Sequence, residues 1–149
     1  MNDIVWAIAP EHDSLLHLTR RMHRHAEEVF AFREIDLEFN APPIETELRL
    51  SLSVRRDLLL IFKEAVNNAA WHSGCHKVSI DFACENSLLT LRITDDGKGF
   101  EADAEFDGQG VRSITRRAAA ISGKLKIDSR RENGTIVSFE RKPQKTNFV

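Results

Sequence analysis

The spacing of apolar and polar residues changes period along the chain, and each change marks an element. In "DSLLHLTRRMHRHAEEVF", residues 13–30, Leu15, Leu18, Met22, Ala26 and Val29 recur at helical spacing, with Asp13 or Ser14 placed to cap. "IDLEFNA" alternates and predicts a strand, ended by Pro42 and Pro43. A second helix is predicted from a cap at Ser51 or Ser53 to about Ser73, stopped by Gly74. Beyond it the period shortens to two. "KVSIDFA" and "SLLTLRITD" read as paired strands with a turn near Glu85 and Asn86. A Gly- and Asp-rich loop from Asp95 to about Gly110 leads into a third helix, "VRSITRRAAAIS", closed by Gly123. "KLKIDSRR" and "TIVSFER", separated by "ENG", form the last hairpin.

Long helices beside mostly sequential strands predict an α+β, two-layer α/β sandwich. Its mixed sheet has about five strands, with about three helices on one face. Residues 11–142 form the domain, 1–10 a linker with the short apolar run Ile4–Ile8, and 143–149 a tail.

Composition narrows the function classes. The chain has 149 residues, 42% hydrophobic and 30% charged, which suits one folded domain and excludes a disordered tail. A net charge of -2, with Arg pairs at 20–21, 55–56, 116–117 and 130–131 dispersed, argues against nucleic acid as a partner. No apolar run nears the roughly 20 residues that cross a bilayer, so no direct membrane insertion is expected. The start "MNDIVWAIAP" lacks a signal-peptide pattern, and two cysteines, Cys75 and Cys84, form no disulfide framework. A cytoplasmic location is expected.

Candidate chemistry lies in "KEAVNNAAWHSG", residues 63–74. Two adjacent amides inside a helix are costly, because asparagine side chains compete for backbone hydrogen bonds. At about 100° per residue, Leu58, Phe62, Ala65 and Ala69 face the sheet. Glu64, Asn68 and His72 form a separate stripe at i, i+4 and i+8, flanked by Asn67 and Trp71. By itself such a stripe is more often a solvated face. Two glycine-bearing loops change the weighing. "ITDDGKGF" carries Gly97 and Gly99, and "DGQGV" carries Gly108 and Gly110 into a helix start, where free N–H groups suit phosphate. Neither loop is a P-loop or a dinucleotide fingerprint.

Taken in order, "KEAVNNAAWH", "DDGKGF", "GQGVRSITRRA" and "GT" resemble the GHKL ATPase family, which includes gyrase, heat-shock chaperones, histidine kinases and MutL. The spacing is similar to the catalytic ATP-binding domain of sensor histidine kinases. Within those it resembles the nitrate/nitrite-sensor type, with a short lid and no F box. "NDIVWAIAPEHDSLLHLTRRM" is similar to the segment that joins the dimerisation helices to this domain. The resemblance covers residues 2–141. It implies ATP and Mg²⁺ as cofactors. It implies Asn68 as the Mg²⁺ ligand, Glu64 as a general-base candidate, and His72 as a phosphate contact. Asp95 is implied to accept from the adenine amino group. Gly97 and Gly99 would shape the adenine pocket, Gly108 and Gly110 would offer N–H groups to phosphate, and Thr135 would lie under the adenine. Residues 101–107, "EADAEFD", correspond to the lid. The implied partners are a histidine-bearing dimerisation domain, homodimeric in the full-length sensor, and a response regulator.

Departures are mild. Trp71 replaces the usual Lys or Arg, where packing is the expected role. Val111, Ile114, Ser122 and Asp96 replace the commoner Leu, Met, Gly and Asn. The acceptor histidine is expected on a domain outside this chain, and His12-Asp13 is read as a helix cap. A zinc site at His72, Cys75 and His76 is disfavoured, since two of the three are sequence neighbours. His17, His23 and His25 are expected on a solvated or partner-facing side of the first helix. Two alternatives remain: an anti-sigma-type serine kinase of the same fold, and a non-catalytic nucleotide-responsive binding module.

Overall fold

The computed structural model describes residues 15–41, 50–99, 109–129 and 132–143. The elements are α1 (Leu15–Phe32), β1 (Asp36–Asn40), α2 (Leu52–His72), β2 (Lys77–Glu85), β3 (Leu88–Asp95), α3 (Gln109–Ala120), β4 (Lys124–Ser129) and β5 (Thr135–Arg141). The linker 1–10, His12, the first helix's cap, residues 101–107, Gly108 and the tail from 144 lie outside the described residues. Among the described residues no helix is long and apolar enough to cross a membrane.

The five strands form one mixed sheet in the order β1-β2-β3-β5-β4. β1 pairs with β2 in parallel, and the other three pairings are antiparallel. Alternation assigns the faces: Val78, Ile80, Phe82 and Cys84 of β2, and Leu89, Leu91 and Ile93 of β3, are buried under the helices. Asp81 and Arg92, paired across the strands, stand exposed on the opposite face. The two-layer arrangement expected from the sequence is therefore present. The hairpin between β2 and β3 turns through Asn86 and Ser87 at φ 53° and 64°. Positive φ at both central residues matches the twist of a two-residue hairpin.

α1 buries Leu15, Leu18, Met22 and Ala26 as their spacing predicts, but Phe30 is the buried residue of the next turn, and Val29, expected there, is only partly buried. α2 starts where Ser51 accepts a hydrogen bond from the Val54 N–H at 3.3 Å. The expected arc of Leu58, Phe62, Ala65 and Ala69 is buried, and so are Leu59, Ile61, Val66 and Ala70. The buried surface is wider than one stripe because α2 packs against both α1 and α3 as well as the sheet. α3 covers the β4 side through Ile114, Ala118 and, just past its end, Ile121.

Two helices end without glycine in the left-handed position. After α1, Glu34 has φ 56°, with its N–H on Ala31 O at 3.1 Å and the Ile35 N–H on Phe30 O at 2.9 Å. After α3, Ser122 has φ 59°, with the same bond pair to Ala119 O at 3.1 Å and Ala118 O at 2.9 Å. Both are Schellman closures.

Two histidines of α1 pack against rings of the fold, where a solvated or partner-facing side was expected. His17, His23 and His25 are half-buried. His23 stacks flat on Phe39 of β1 with centroids 4.3 Å apart, and its Nε2 lies 3.1 Å from Glu27. His25 meets Phe62 edge-on. Imidazole packs as a small aromatic body with a polar tip, so helical spacing alone did not separate it from a solvated residue.

Candidate nucleotide site

One edge of the sheet brings together Asp95, Gly97 and Thr135 of the sequence-predicted residues. β2 starts there, β3 ends there, and β5 starts there, with Val78 opposite Asp95 and Asp95 opposite Thr135. The C-terminal end of α2 reaches the same edge, since Ser73 O accepts the Lys98 N–H at 2.8 Å.

Asp95 is the buried charge of this edge, only 8% exposed. Its Oδ1 accepts the Gly97 N–H at 2.9 Å. Burial raises its carboxyl above the ordinary 3.8; the Gly97 N–H opposes this, the neighbouring Asp96 charge adds to it, and the Thr135 backbone opposes it. Two glycines make the close packing around it possible. A Cβ on Gly97 would lie 2.4 Å from Ser73 O and 2.9 Å from Asp95 Oδ1. A Cβ on Gly134, which has φ +77°, would lie 2.1 Å from Asp95 O. Thr135 is half-buried, its Oγ1 2.7 Å from Ser129 Oγ. Gly99 also holds positive φ, at 62°.

Asp96, where asparagine is commoner, fastens the loop. Its Oδ1 accepts the His76 N–H at 2.8 Å and the Lys77 N–H at 3.0 Å. Those bonds, Lys77 first, hold its carboxyl below the ordinary 3.8. An asparagine oxygen would accept the same two bonds, so this departure preserves the geometry.

On α2, Glu64 and Asn68 are half-buried, whereas Asn67 and His72 are exposed. Gly110 falls in the first turn of α3. Cys75 is buried with its thiol 3.3 Å from Ala69 O, while His72 and His76 are exposed. Among the described residues no three His, Cys, Asp or Glu side chains gather into a metal-holding group.

Trp71 packs sideways, towards α1. It is 51% exposed, its ring is 6.2 Å from that of Phe32, and the Arg33 guanidinium carbon stands 4.5 Å from its centroid. Arg33 Nε also donates to Ala70 O at 3.0 Å, satisfying a carbonyl in the last turn of α2. Arg33 was missed from sequence because nothing local links positions 37 residues apart. Also missed was the contact of Arg117 Nη1 of α3 with Asp57 Oδ1 of α2, at 3.1 Å.

Three helices cover one face of a mixed five-stranded sheet, and a buried acid lies where α2 ends. The model of the histidine kinase-, DNA gyrase B- and HSP90-like ATPase family matches residues 53–146, and the chain belongs to that family. It is 32% identical over 107 residues to the sensor histidine kinase LiaS of Bacillus subtilis, covering 71% of this chain and 29% of LiaS. It is 35% identical over 84 residues to the sensor protein VraS of Staphylococcus epidermidis, covering 56% of this chain and 24% of VraS. The chain thus spans less than a third of either relative. The histidine kinase domain of the Erythrobacter litoralis EL346 blue-light activated kinase superposes with a TM-score of 0.67 at 18% identity, covering 83% of this chain and 59% of that one. That likeness extends the fold assignment. The grouping supported is the sensor histidine kinase type of ATPase domain, through relatives named LiaS and VraS.

Proposed function

We propose that this domain binds Mg²⁺·ATP and presents its γ-phosphoryl group to a histidine on a dimerisation domain, as the catalytic part of a sensor histidine kinase. The observation that carries the reading is Asp95. It is a carboxylate buried at a strand end, with Gly97 close to its Oδ1 and Gly134 close to the main-chain carbonyl of the same residue. A buried acceptor of this kind suits the exocyclic amino group of adenine. Gly97 and Gly99 shape the pocket around it, and Thr135 lies beside it on the neighbouring strand. Asn68 offers a side-chain oxygen from α2, a hard ligand of the type magnesium accepts beside phosphates and water. Bound magnesium supplies charge neutralisation at the phosphates. Glu64, one turn earlier, orients the attacking group or takes its proton. His72 stands at the exposed end of the same stripe and contacts phosphate. Gly110, in the first turn of α3, would offer a backbone N–H to the phosphates, and Gly108 is assigned the same role from the motif alone.

The partners we propose are a dimerisation domain bearing the acceptor histidine, homodimeric in the full sensor, and a response regulator, all in the cytoplasm. The short lid keeps the nitrate/nitrite-sensor-like grouping as our finer reading. Nucleotide competition tests the proposal. ATP should displace a bound adenine nucleotide at least about 100-fold better than GTP, because guanine turns a carbonyl towards Asp95 where adenine turns a donor. Equal competition by the two would remove the adenine pocket from the account.

A further inference from the structure

The contact between Asp57 and Arg117 lies well away from the residues just named. The Asp57 side chain is 7% exposed and that of Arg117 33%, and Arg117 Nη1 stands 3.1 Å from Asp57 Oδ1. Arg56 Nε also lies near this carboxylate, at 3.7 Å. The pair joins two helices that run in opposite directions. α2 ends at the nucleotide edge, where Ser73 holds Lys98. α3 ends at the far edge, where Ile121 O accepts from Arg141 Nε at 2.9 Å.

Seven residues along α2 lead from Asp57 to Glu64, and seven residues back along α3 lead from Arg117 to Gly110. At 1.5 Å per residue each arm is about 10 Å long. The pair is therefore the pivot of a calliper. One tip is the Glu64–Asn68 segment, and the other is the first turn of α3. A rotation of about 5° at the pivot moves either tip by roughly 1 Å, an error large enough to spoil phosphate contacts. The apolar contacts of α3 through Ile114 and Ala118 hold the helix down but are non-directional. A charged, part-buried hydrogen bond is directional and favours one rotation.

We infer that Asp57 and Arg117 are positioning residues that set the spacing between α2 and the start of α3, and so the phosphate half of the nucleotide site. The inference rests on the proposed function. It predicts a selective loss: contacts to the phosphates weaken while the adenine pocket around Asp95, built from β3, β5 and their loops and held to the end of α2 at Ser73, changes little.

The test compares calorimetric affinities for Mg²⁺·ATP and for ADP without metal in the wild type, Arg117→Gln, Asp57→Asn and the exchanged pair Asp57→Arg/Arg117→Asp. Melting curves confirm that each is folded, and Asp57→Asn serves if Arg117→Gln is not. In either single variant we expect Mg²⁺·ATP binding to weaken about tenfold while metal-free ADP changes less than about twofold. The exchanged pair should recover at least part of the loss. A folded single variant with an unchanged ratio of the two affinities would overturn the inference while leaving the proposed function standing. A wild-type chain that binds neither nucleotide would overturn the proposed function, and the inference with it.

Discussion

Gly134 sits where backbone conformation and close packing act at the same atom, which makes Gly134→Ala informative. Its φ of +77° belongs to the left-handed region, which costs an L-residue about 1–2 kcal/mol. The new Cβ would also lie 2.1 Å from Asp95 O and 3.1 Å from Asp95 C. An ordinary carbon–oxygen contact is about 3.3 Å or longer, so roughly 1 Å of backbone must give. It gives poorly, because Asp95 and Thr135 are partners in the β3–β5 ladder. Overpacking of this kind adds about 1–3 kcal/mol. The sum is about 3 kcal/mol, a fall in Tm of about 6–12 °C for a domain of this size. Gly74 is the control: its φ is similar at +66°, yet a Cβ added there would meet nothing within 4 Å. Gly74→Ala should cost only the dihedral part, about 1 kcal/mol and 2–4 °C. Thermal and urea melts of the two variants read the difference. Equal losses would show that the close approach of Gly134 to Asp95 does not constrain the protein.

Three further outcomes follow from the same geometry. Ser122→Gly relieves a left-handed serine at the end of α3 and should raise stability by about 1 kcal/mol in urea denaturation; a loss would contradict the Schellman closure. Trp71→Ala removes the Arg33 contact and half-buried ring area. It should lower stability by about 1–2 kcal/mol yet leave Mg²⁺·ATP affinity within about twofold, and a tenfold loss would place the indole in the site instead. Asp95 binds its proton more tightly in the folded chain, chiefly because it is buried, so its contribution is full below 3.8 and declines as pH rises through the raised value. Asp95→Asn should flatten that part of the urea-midpoint profile, and an Asp95-dependent midpoint that rises with pH there would refute the burial argument.

The legible parts of this chain were those with local causes. Alternation placed β2 and β3, and a serine cap followed by helical spacing placed α2, with Ser51 the cap used. The ordered motifs named the family because several of them occur together in one set order. Helix ends were less legible, since Glu34 and Ser122 occupy positions where glycine is the usual signal. The width of the buried face of α2 was underestimated because a second helix on each side is a tertiary fact. Arg33 on Trp71 and Arg117 on Asp57 join residues far apart in sequence, and nothing in either segment alone marks the partner. The adjacent amides of α2 differ in the structure: Asn68 is half-buried and Asn67 exposed.

The central claim is that Asp95 and Asn68 serve opposite ends of one nucleotide, and calorimetric titration of ATP with and without Mg²⁺ tests it most directly. In the wild type, Mg²⁺ should strengthen ATP binding. Asn68→Ala should retain the metal-free affinity and lose most of the strengthening, while Asp95→Ala should lose binding in both conditions. Unchanged ATP affinity and unchanged metal dependence in both folded variants would contradict the account.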